Sequence, residues 1–262
     1  MSTILEKQYS VYNDRKWVYS DPLQTIYRYS SPKDQEIVGF ISAMCAYGRV
    51  GQILSSLDDL LRRTGPVYQF LATASKKRIV TAVSTWKHRF ASGSDIAAFL
   101  WGLAKMMKDY GSLENAFGTG FLNTDSTIYN ALVEFYKKLV KFSGLMNNHL
   151  LPDPGKKSAC KRYHLFLRWM VRKDNIDPGL WKSVSPAVLL VPLDTHMHRV
   201  CRELGFTQRK QADQQTVFEV TESFRKFSPD DPVKYDFALT RSGIIQNNVT
   251  MTDCINAKII IG

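Results

Sequence analysis

The residues with the clearest chemical potential lie in the segment LLVPLDTHMHRVCRELG, which spans residues 189–205. It places one carboxylate and two imidazoles, Asp194, His196 and His198, within five positions. These residue types could hold a metal ion, supply a catalytic carboxylate, or simply mark the start of a helix. Which of these applies depends on the element that carries them.

A helix that begins at Asp194 is the element that this segment predicts. Pro192 favours an extended chain before it, Asp194 fits an N-cap, and Gly205 fits a helix end. On such a helix Asp194 and His198 share a face, whereas His196 points elsewhere. We therefore expect no metal or other cofactor, and a metal-dependent hydrolase is the least favoured interpretation. The remaining histidines show no recognisable ligand spacing: His88, His149 and His164.

A second segment of chemical interest, LLPDPGKKSACKR, spans residues 150–162. Its proline and glycine residues predict a tight hairpin that opens a helix, and free N–H groups at such a turn bind phosphate. Lys156 and Lys157 lie in the first turn of that helix, where the helix dipole disfavours cations. A solvated, lysine-rich turn therefore stays open as an alternative.

The charge of the chain favours a polyanionic partner. Its net charge is +11 and its pI is about 9.4, and clustered cations bind phosphate by releasing counterions. The segment from Asp153 to Asp174 contains seven basic residues and only these two acidic ones, for a net charge of +5 (7 − 2). Arg162, Arg168 and Arg172 in this segment could contact phosphates or form ion pairs within the protein, and both alternatives stay open.

Cysteine spacing and hydropathy exclude several classes of protein. The four cysteines lie far apart without a CxxC pair, which disfavours structural zinc and an iron–sulfur loop and predicts free thiols. They are Cys45, Cys160, Cys201 and Cys254. No apolar run reaches the length of a membrane span, and the N-terminus lacks an apolar signal core. We expect a cytoplasmic protein that makes no membrane contact.

Periodic apolar positions predict helices along nearly the whole chain. In SGSDIAAFLWGLAKMMKDYG, residues 92–111, Ser94 is a plausible N-cap and Gly111 a plausible C-cap. No segment sustains the alternation of a half-buried strand. The predicted fold class is all-α.

Taken together, the two chemical segments resemble the helix-hairpin-helix DNA glycosylase/AP-lyase superfamily. That superfamily has a hairpin of the form L-P-G-h-G-x-K-x-A, where h is apolar, and a downstream motif of the form V-P/D-x-D-x-H-h-x-R-h. The matching hairpin positions are Leu151, Pro152, Gly155, Lys157 and Ala159, and the matching downstream positions are Val191, Pro192, Asp194, His196, Arg199 and Gly205. Segments SACKRYHLFLRWMVRKD, PLDTHMHRV and DDPVKYDFALTRSG more closely resemble an uncharacterised bacterial family placed within it.

The resemblance covers roughly residues 30–245 and implies a two-lobed helical fold with a cleft between the lobes. Residues 1–262 would form one helix-hairpin-helix unit. Within it, roughly residues 30–140 would form a helical lobe, and residues 141–245 would form the lobe with the hairpin, the catalytic aspartate and C-terminal helices. The resemblance further implies a monomer that binds double-stranded DNA and is associated with the nucleoid.

The resemblance also implies base excision repair chemistry, in which a damaged base, an oxidised purine being one candidate, is flipped out of the duplex and removed. Lys157 matches the nucleophile by register, and Lys161, one turn further on, is the alternative. A desolvated lysine amine can attack the sugar and form a Schiff base that permits strand cleavage. Asp194 would stabilise the positive charge that develops on the sugar. If neither lysine reaches the sugar, Asp194 alone could support a glycosylase that uses water.

Further site residues follow from the same register. Gly155, Lys156 and Arg162 are the implied DNA-binding residues. The implied base pocket contains Met44, Asp236 and Thr240. A purely structural core helix around Asp236 stays open as an alternative.

The chain also departs from the superfamily pattern. Asp153 and Pro154 replace the first hairpin glycine and the apolar residue, and proline narrows the freedom of the phosphate-binding turn. The spacing from Lys157 to Asp194 is 37 residues (194 − 157), about twice that of most members. Met44 stands where many relatives have glutamine. These departures keep a second interpretation open, a non-catalytic DNA-binding protein of the same fold.

Overall fold

The computed structural model describes residues 1–122 and 124–245, with side chains described as far as Arg241. Within these ranges the chain forms α-helices and short 3-10 segments, with three isolated bridges and no strand. The all-α prediction is therefore confirmed. Cys254 lies outside the described residues, and the thiols of Cys45, Cys160 and Cys201 are free and buried.

The helices are α1 (Ser2–Tyr12), α2 (Pro32–Met44), α3 (Val50–Thr64), α4 (Val67–Thr73), α5 (Lys76–Val83), α6 (Gly93–Tyr110), α7 (Leu113–Gly118), α8 (Tyr129–Ser143), α9 (Lys161–Val171), α10 (Thr195–Glu203), α11 (Gln214–Arg225) and α12 (Asp236–Ile245). The 3-10 segments are Arg15–Ser20, Pro22–Arg28, Pro154–Lys156 and Pro186–Val188. None of the described helices is long and apolar enough to cross a membrane.

Helix ends follow the capping chemistry of the sequence, with one shift of position. Asp194 caps α10, as predicted, and accepts a hydrogen bond from the Met197 N–H at 2.8 Å. The N-cap of α6 is Ser92, so the prediction of Ser94 was wrong. Ser92 and Asp95 form a reciprocal capping box, in which each side chain accepts from the backbone N–H of the other. Gly111 ends α6 with a φ of 82°, as predicted.

Helix α2 lies at the centre of the core. Phe40 packs against aromatic rings of α6, α8 and α9, with ring centroids 5.6 Å from Phe99, 5.7 Å from Phe135 and 4.9 Å from Phe166. The adjacent Gly39 lets Ile26 and Met170 approach closely, since an added Cβ would lie 3.0 Å from each. Both halves of the chain thus contribute to one continuous core. The division into lobes at residues 140 and 141 stays a prediction.

The long connector between α9 and α10 is packed onto this core. Trp181 is buried, and its Nε1 donates to the buried carboxylate of Glu36 on α2 at 2.8 Å. The other contacts of Glu36 are the N–H groups of Leu113 and Glu114 at the start of α7. One buried carboxylate therefore joins the connector at Trp181 to both α2 and α7.

A buried ionic network ties α9 to the connector and to α12. Arg168 donates to Asp177 at 3.2 Å and to Asp236, and Arg172 donates to Asp177 at 2.5 Å and to Asp231 at 2.8 Å. Both arginine side chains are less than 5% exposed. Of the alternatives that the sequence left open for Arg168 and Arg172, the structure shows ion pairs within the protein.

Asp177→Ala should destabilise the protein by about 3–5 kcal/mol, because it leaves buried guanidinium charge without its shared partner. Asp58→Ala is the control: Asp58 pairs with Arg28 at the surface, where such pairs contribute less than about 1 kcal/mol. Urea unfolding followed by circular dichroism measures both changes. Equal free energies of unfolding for the two variants would contradict the structural role of the network.

Candidate functional site

The hairpin of residues 150–160 is held in place by contacts within the protein. Asp153 caps the 3-10 turn at Pro154–Lys156, and its Oδ1 accepts from the Gly155 N–H at 2.8 Å. Lys157 follows in the left-handed region, with φ 58°, and its carbonyl accepts from the Gln214 N–H at 3.0 Å. Cys160, also left-handed with φ 45°, then leads into α9. This path makes Lys161 the first residue of α9.

The starts of α9 and α10 meet in an ion pair. The Lys161 Nζ lies 3.0 Å from Oδ2 of Asp194, and the side chains are 32% and 28% exposed. The other oxygen of Asp194, Oδ1, caps α10 through Met197. One carboxylate therefore both begins a helix and holds the amine.

The environment keeps Asp194 ionised. Burial acts to raise its pKa, but the Lys161 ammonium and the Met197 N–H act more strongly, and together they hold the pKa below the ordinary value of 3.8. Asp194 therefore carries a negative charge throughout the neutral range. Such a charge can stabilise a cation that forms nearby.

Lys161 and Asp194 line a pocket of about 200 Å³. Its walls come from the 3-10 segment at Pro22, the turn between α2 and α3, α9 and α12. This volume lies below the ~300–1,000 Å³ typical of pockets for drug-sized ligands. It therefore suits one small group, such as a single ring system.

Asp236 and Thr240, both predicted for this site, line the same pocket from α12. Asp236 is 4% exposed, and one of its carboxylate oxygens, Oδ2, accepts from Arg168. Burial raises the pKa of Asp236 to about 6 in spite of Arg168. The structure thus brings a second carboxyl, with the opposite pKa shift, beside Lys161 and Asp194.

The other predicted residues lie outside this pocket. Lys157 lines a separate open pocket of about 540 Å³ with Arg209 and Phe218, so it is Lys161 that faces Asp194. Met44, predicted for the base pocket, is fully buried in the core, because it belongs to the innermost face of α2. Its carbonyl accepts from Arg162.

The predicted DNA-binding residues already have partners in the protein. The Arg162 guanidinium donates to the Met44 carbonyl at 2.6 Å and lies 4.8 Å from the Tyr47 ring centroid. The Gly155 N–H is taken by Asp153, and the Lys156 ammonium donates to Asn147. Of these, Lys156 is an exposed cation that a phosphate could also contact.

Sequence reasoning missed Arg241 and Asp21, which also line the pocket. Arg241 is buried and donates to Asp21 at 2.7 Å and to Ser20 Oγ at 2.7 Å, which joins α12 to the segment before Pro22 in the pocket wall. These residues are 220 positions apart (241 − 21). No local pattern could have joined them.

The two histidines that prompted the metal interpretation, His196 and His198, have different partners and do not converge on one point. His198 is buried, with its Nε2 3.0 Å from the Arg209 carbonyl oxygen, whereas Nδ1 of His196 lies 3.3 Å from the Arg199 guanidinium. Within residues 1–122 and 124–245 no group of three or more His, Cys, Asp or Glu side chains is placed to hold a metal ion.

The fold and site define an all-α protein with a small pocket in which a lysine is paired with a helix-capping aspartate. The chain belongs to the protein family of unknown function DUF2400, whose family model matches residues 21–245. Comparisons with curated proteins and with solved structures found no match. The matched range contains the hairpin, Lys161, Asp194 and the residues of α12 that line the pocket.

The carboxyl of Asp236 should titrate near pH 6, and that of Asp194 below pH 3.8. Because the pKa of Asp236 is raised on folding, the folded state holds a proton that the unfolded state releases between pH 3.8 and about 6. This group therefore reduces stability as pH rises through that window. Carboxyl ¹³C NMR, with Asp236→Asn for assignment, measures the midpoint. A midpoint for Asp236 below 4 would contradict the cause given for its pKa.

Proposed function

We propose that this protein is a DNA repair glycosylase with AP-lyase activity, which removes a damaged base from double-stranded DNA after flipping it out of the duplex. An oxidised purine is the substrate class that the superfamily resemblance favours. The observation that carries the proposal is the contact of 3.0 Å between the Lys161 Nζ and Asp194 at the edge of a small pocket. The two-lobed helix-hairpin-helix fold and a nucleoid location belong to the same proposal.

The proposed chemistry begins when the Lys161 amine, after losing a proton, attacks the anomeric carbon of the flipped nucleotide. A bond forms between Nζ and this carbon while the bond to the base breaks, and the base leaves with the electron pair and takes up a proton. Asp194 stabilises the positive charge that develops on the sugar. The C1′–O4′ bond of the sugar then breaks, O4′ takes up the proton that Nζ loses, and a Schiff base forms between Nζ and C1′. Loss of a proton from C2′ expels the 3′ phosphate by β-elimination, which breaks the strand on the 3′ side.

The geometry favours Lys161 over Lys157 as the nucleophile. Lys161 is partly buried and shares a pocket with Asp194, Asp236 and Thr240. Lys157 is exposed and opens onto a different pocket. The distance between Lys157 and the catalytic carboxylate would have to change for Lys157 to act.

A rigid aromatic tip beside the pocket supports DNA as the partner. Phe90 is 65% exposed at the end of a tight turn, which two backbone hydrogen bonds between His88 and Ala91 close. The Phe90 ring lies 5.0 Å from the ring of His149, a residue of the loop before the hairpin. Arg89, at φ 51°, packs against Gly48 of the pocket wall. An exposed ring with adjacent cations suits stacking on a nucleobase.

A second candidate function is DNA binding without catalysis. The observation that favours it is the position of Lys157, the residue that matches the superfamily nucleophile, which lines a separate pocket and does not pair with Asp194. The exposed Lys156 and Lys157 would still contact phosphates. In this case the chain would bind duplex DNA and release no base.

Borohydride trapping on a panel of lesion-containing duplexes tests the catalytic proposal. We expect a covalent adduct with the native chain and with Lys157→Ala, and none with Lys161→Ala, because only Lys161 faces Asp194. Asp194→Asn should lower the rate by about 10²–10³-fold, the usual effect of removing one electrostatic stabiliser.

Two results would decide against parts of this proposal. Adduct formation by Lys161→Ala but not by Lys157→Ala would transfer the nucleophile to Lys157. DNA binding with neither an adduct nor base release on any lesion would establish the non-catalytic candidate instead. Circular dichroism of each variant checks that the fold is retained.

Phe90→Ala should weaken binding to a duplex with an unpaired nucleotide by about 1–3 kcal/mol, the usual contribution of one base–aromatic stack. Leu122→Ala is the matched control, since Leu122 is also 65% exposed. Fluorescence anisotropy at a fixed salt concentration measures both affinities. Equal affinity for the two variants would remove Phe90 from the DNA-binding surface.

A further inference from the structure

A second cleft, between α4 and α6, is lined by apolar and aromatic side chains and is separate from the Lys161 pocket. Its volume is about 330 Å³, and its floor includes Tyr68, Leu71, Trp101 and Met107. Leu71 and Met107 are buried, whereas the rings of Tyr68 and Trp101 are partly exposed. We call this site the α4–α6 cleft.

The two pockets lie at opposite ends of α2. Lys33, in the first turn of α2, lies over Tyr68 of the α4–α6 cleft, with Nζ 4.9 Å from the ring centroid. Ala46, just beyond the last residue of α2, lines the Lys161 pocket. A helix of 13 residues is about 20 Å long at 1.5 Å per residue. A ligand could therefore occupy the α4–α6 cleft while the Lys161 pocket is in use.

Unpaired lysines surround the cleft. Lys105 and Lys108 line it from α6, and neither they nor Lys33 forms an ion pair with any of the described residues. The Lys105 Nζ lies 5.0 Å from the Trp101 ring centroid. A ring or a helix therefore holds each of these cations near the cleft, and none of them has a carboxylate partner among the described residues.

Neighbouring acidic groups do not cancel this charge. The carboxylate of Asp34 accepts from the Tyr68 N–H at 2.8 Å and keeps its negative charge, which offsets one of the neighbouring cations. Asp109 follows Lys108 on α6, but Lys76 and Lys77 begin α5 just beyond Ala74 of the cleft wall. Cations thus outnumber carboxylates around an apolar floor.

We infer that the α4–α6 cleft docks an acidic segment of a partner protein. One aromatic or branched aliphatic side chain of that segment would fill the space between Tyr68 and Trp101. Its flanking carboxylates would pair with Lys33, Lys105 and Lys108. In an intact duplex the bases are paired and stacked inside the helix and cannot fill the floor without being extruded, whereas a peptide side chain can, so the cleft chemistry favours an acidic peptide.

Anisotropy with fluorescein-labelled octapeptides tests this inference on the full chain. Each peptide of the panel carries one Phe, Trp, Leu or Ile among Asp and Gly residues. We expect the best peptides to bind with micromolar Kd and to weaken as salt is raised. Replacing the Asp residues by Lys, or the apolar residue by Gly, should abolish binding.

Variants then locate the binding site. Lys108→Glu, at an exposed position, and Ala104→Trp, which fills the cleft, should each weaken peptide binding at least tenfold. Lys141→Glu is the matched control, because it makes the same charge change at a lysine 5.7 Å from the Phe142 ring. Retained circular dichroism spectra ensure that the comparison concerns folded protein.

Several outcomes would overturn the inference. These are the absence of binding by every peptide, equal weakening by Lys141→Glu, and equal binding of the Lys-substituted peptides. Weakening of duplex DNA binding, but not of peptide binding, by Lys108→Glu would assign the cleft to nucleic acid instead. None of these outcomes depends on glycosylase activity, so failure here and failure of the proposed function are distinguishable.

Discussion

The cost of removing charge from water is the constraint on which this structure depends. Arg168 of α9 and Arg172, directly after it, are buried, and an isolated buried charge would cost several kcal/mol. The protein meets this cost by bringing aspartates from three later segments to the same place: Asp177 from the connector, Asp231 before α12, and Asp236 at its start. The network thereby fixes α12 against α9, which creates one wall of the Lys161 pocket.

In the candidate site, too, one carboxylate has more than one partner. Asp194 satisfies an N–H at the start of α10 with one oxygen and the Lys161 ammonium with the other. Asp236 is more deeply buried than Asp194 and shares Arg168 with Asp177, so burial outweighs its partner and raises its pKa to about 6. The two carboxyls in this pocket therefore differ in protonation only on the acid side of pH 6, where Asp236 holds a proton and Asp194 is still ionised.

The sequence was sufficient for features set by local chemistry and insufficient for those set by distant contacts. The all-α class and the Asp194 cap follow from periodicity and from a short side chain at a helix start. Register alone favoured Lys157 as the nucleophile over Lys161, but the left-handed residues Lys157 and Cys160 redirect the chain so that Lys161 begins α9 and pairs with Asp194. Non-glycine residues seldom adopt that conformation, so no spacing rule anticipates it. The capping box of Ser92 and Asp95 is, by contrast, a local pattern of the sequence, which the prediction of Ser94 as N-cap overlooked.

Local charge counts mislead for a related reason. The net charge of +5 between Asp153 and Asp174 includes Arg168 and Arg172, which aspartates beyond residue 174 neutralise inside the protein. The field that a phosphate would meet there comes instead from the exposed lysines Lys156, Lys157 and Lys173. Since the whole chain still carries +11, much of the remaining positive charge must lie on other surfaces. The lysines around the α4–α6 cleft, which form no ion pair with any of the described residues, are one such place.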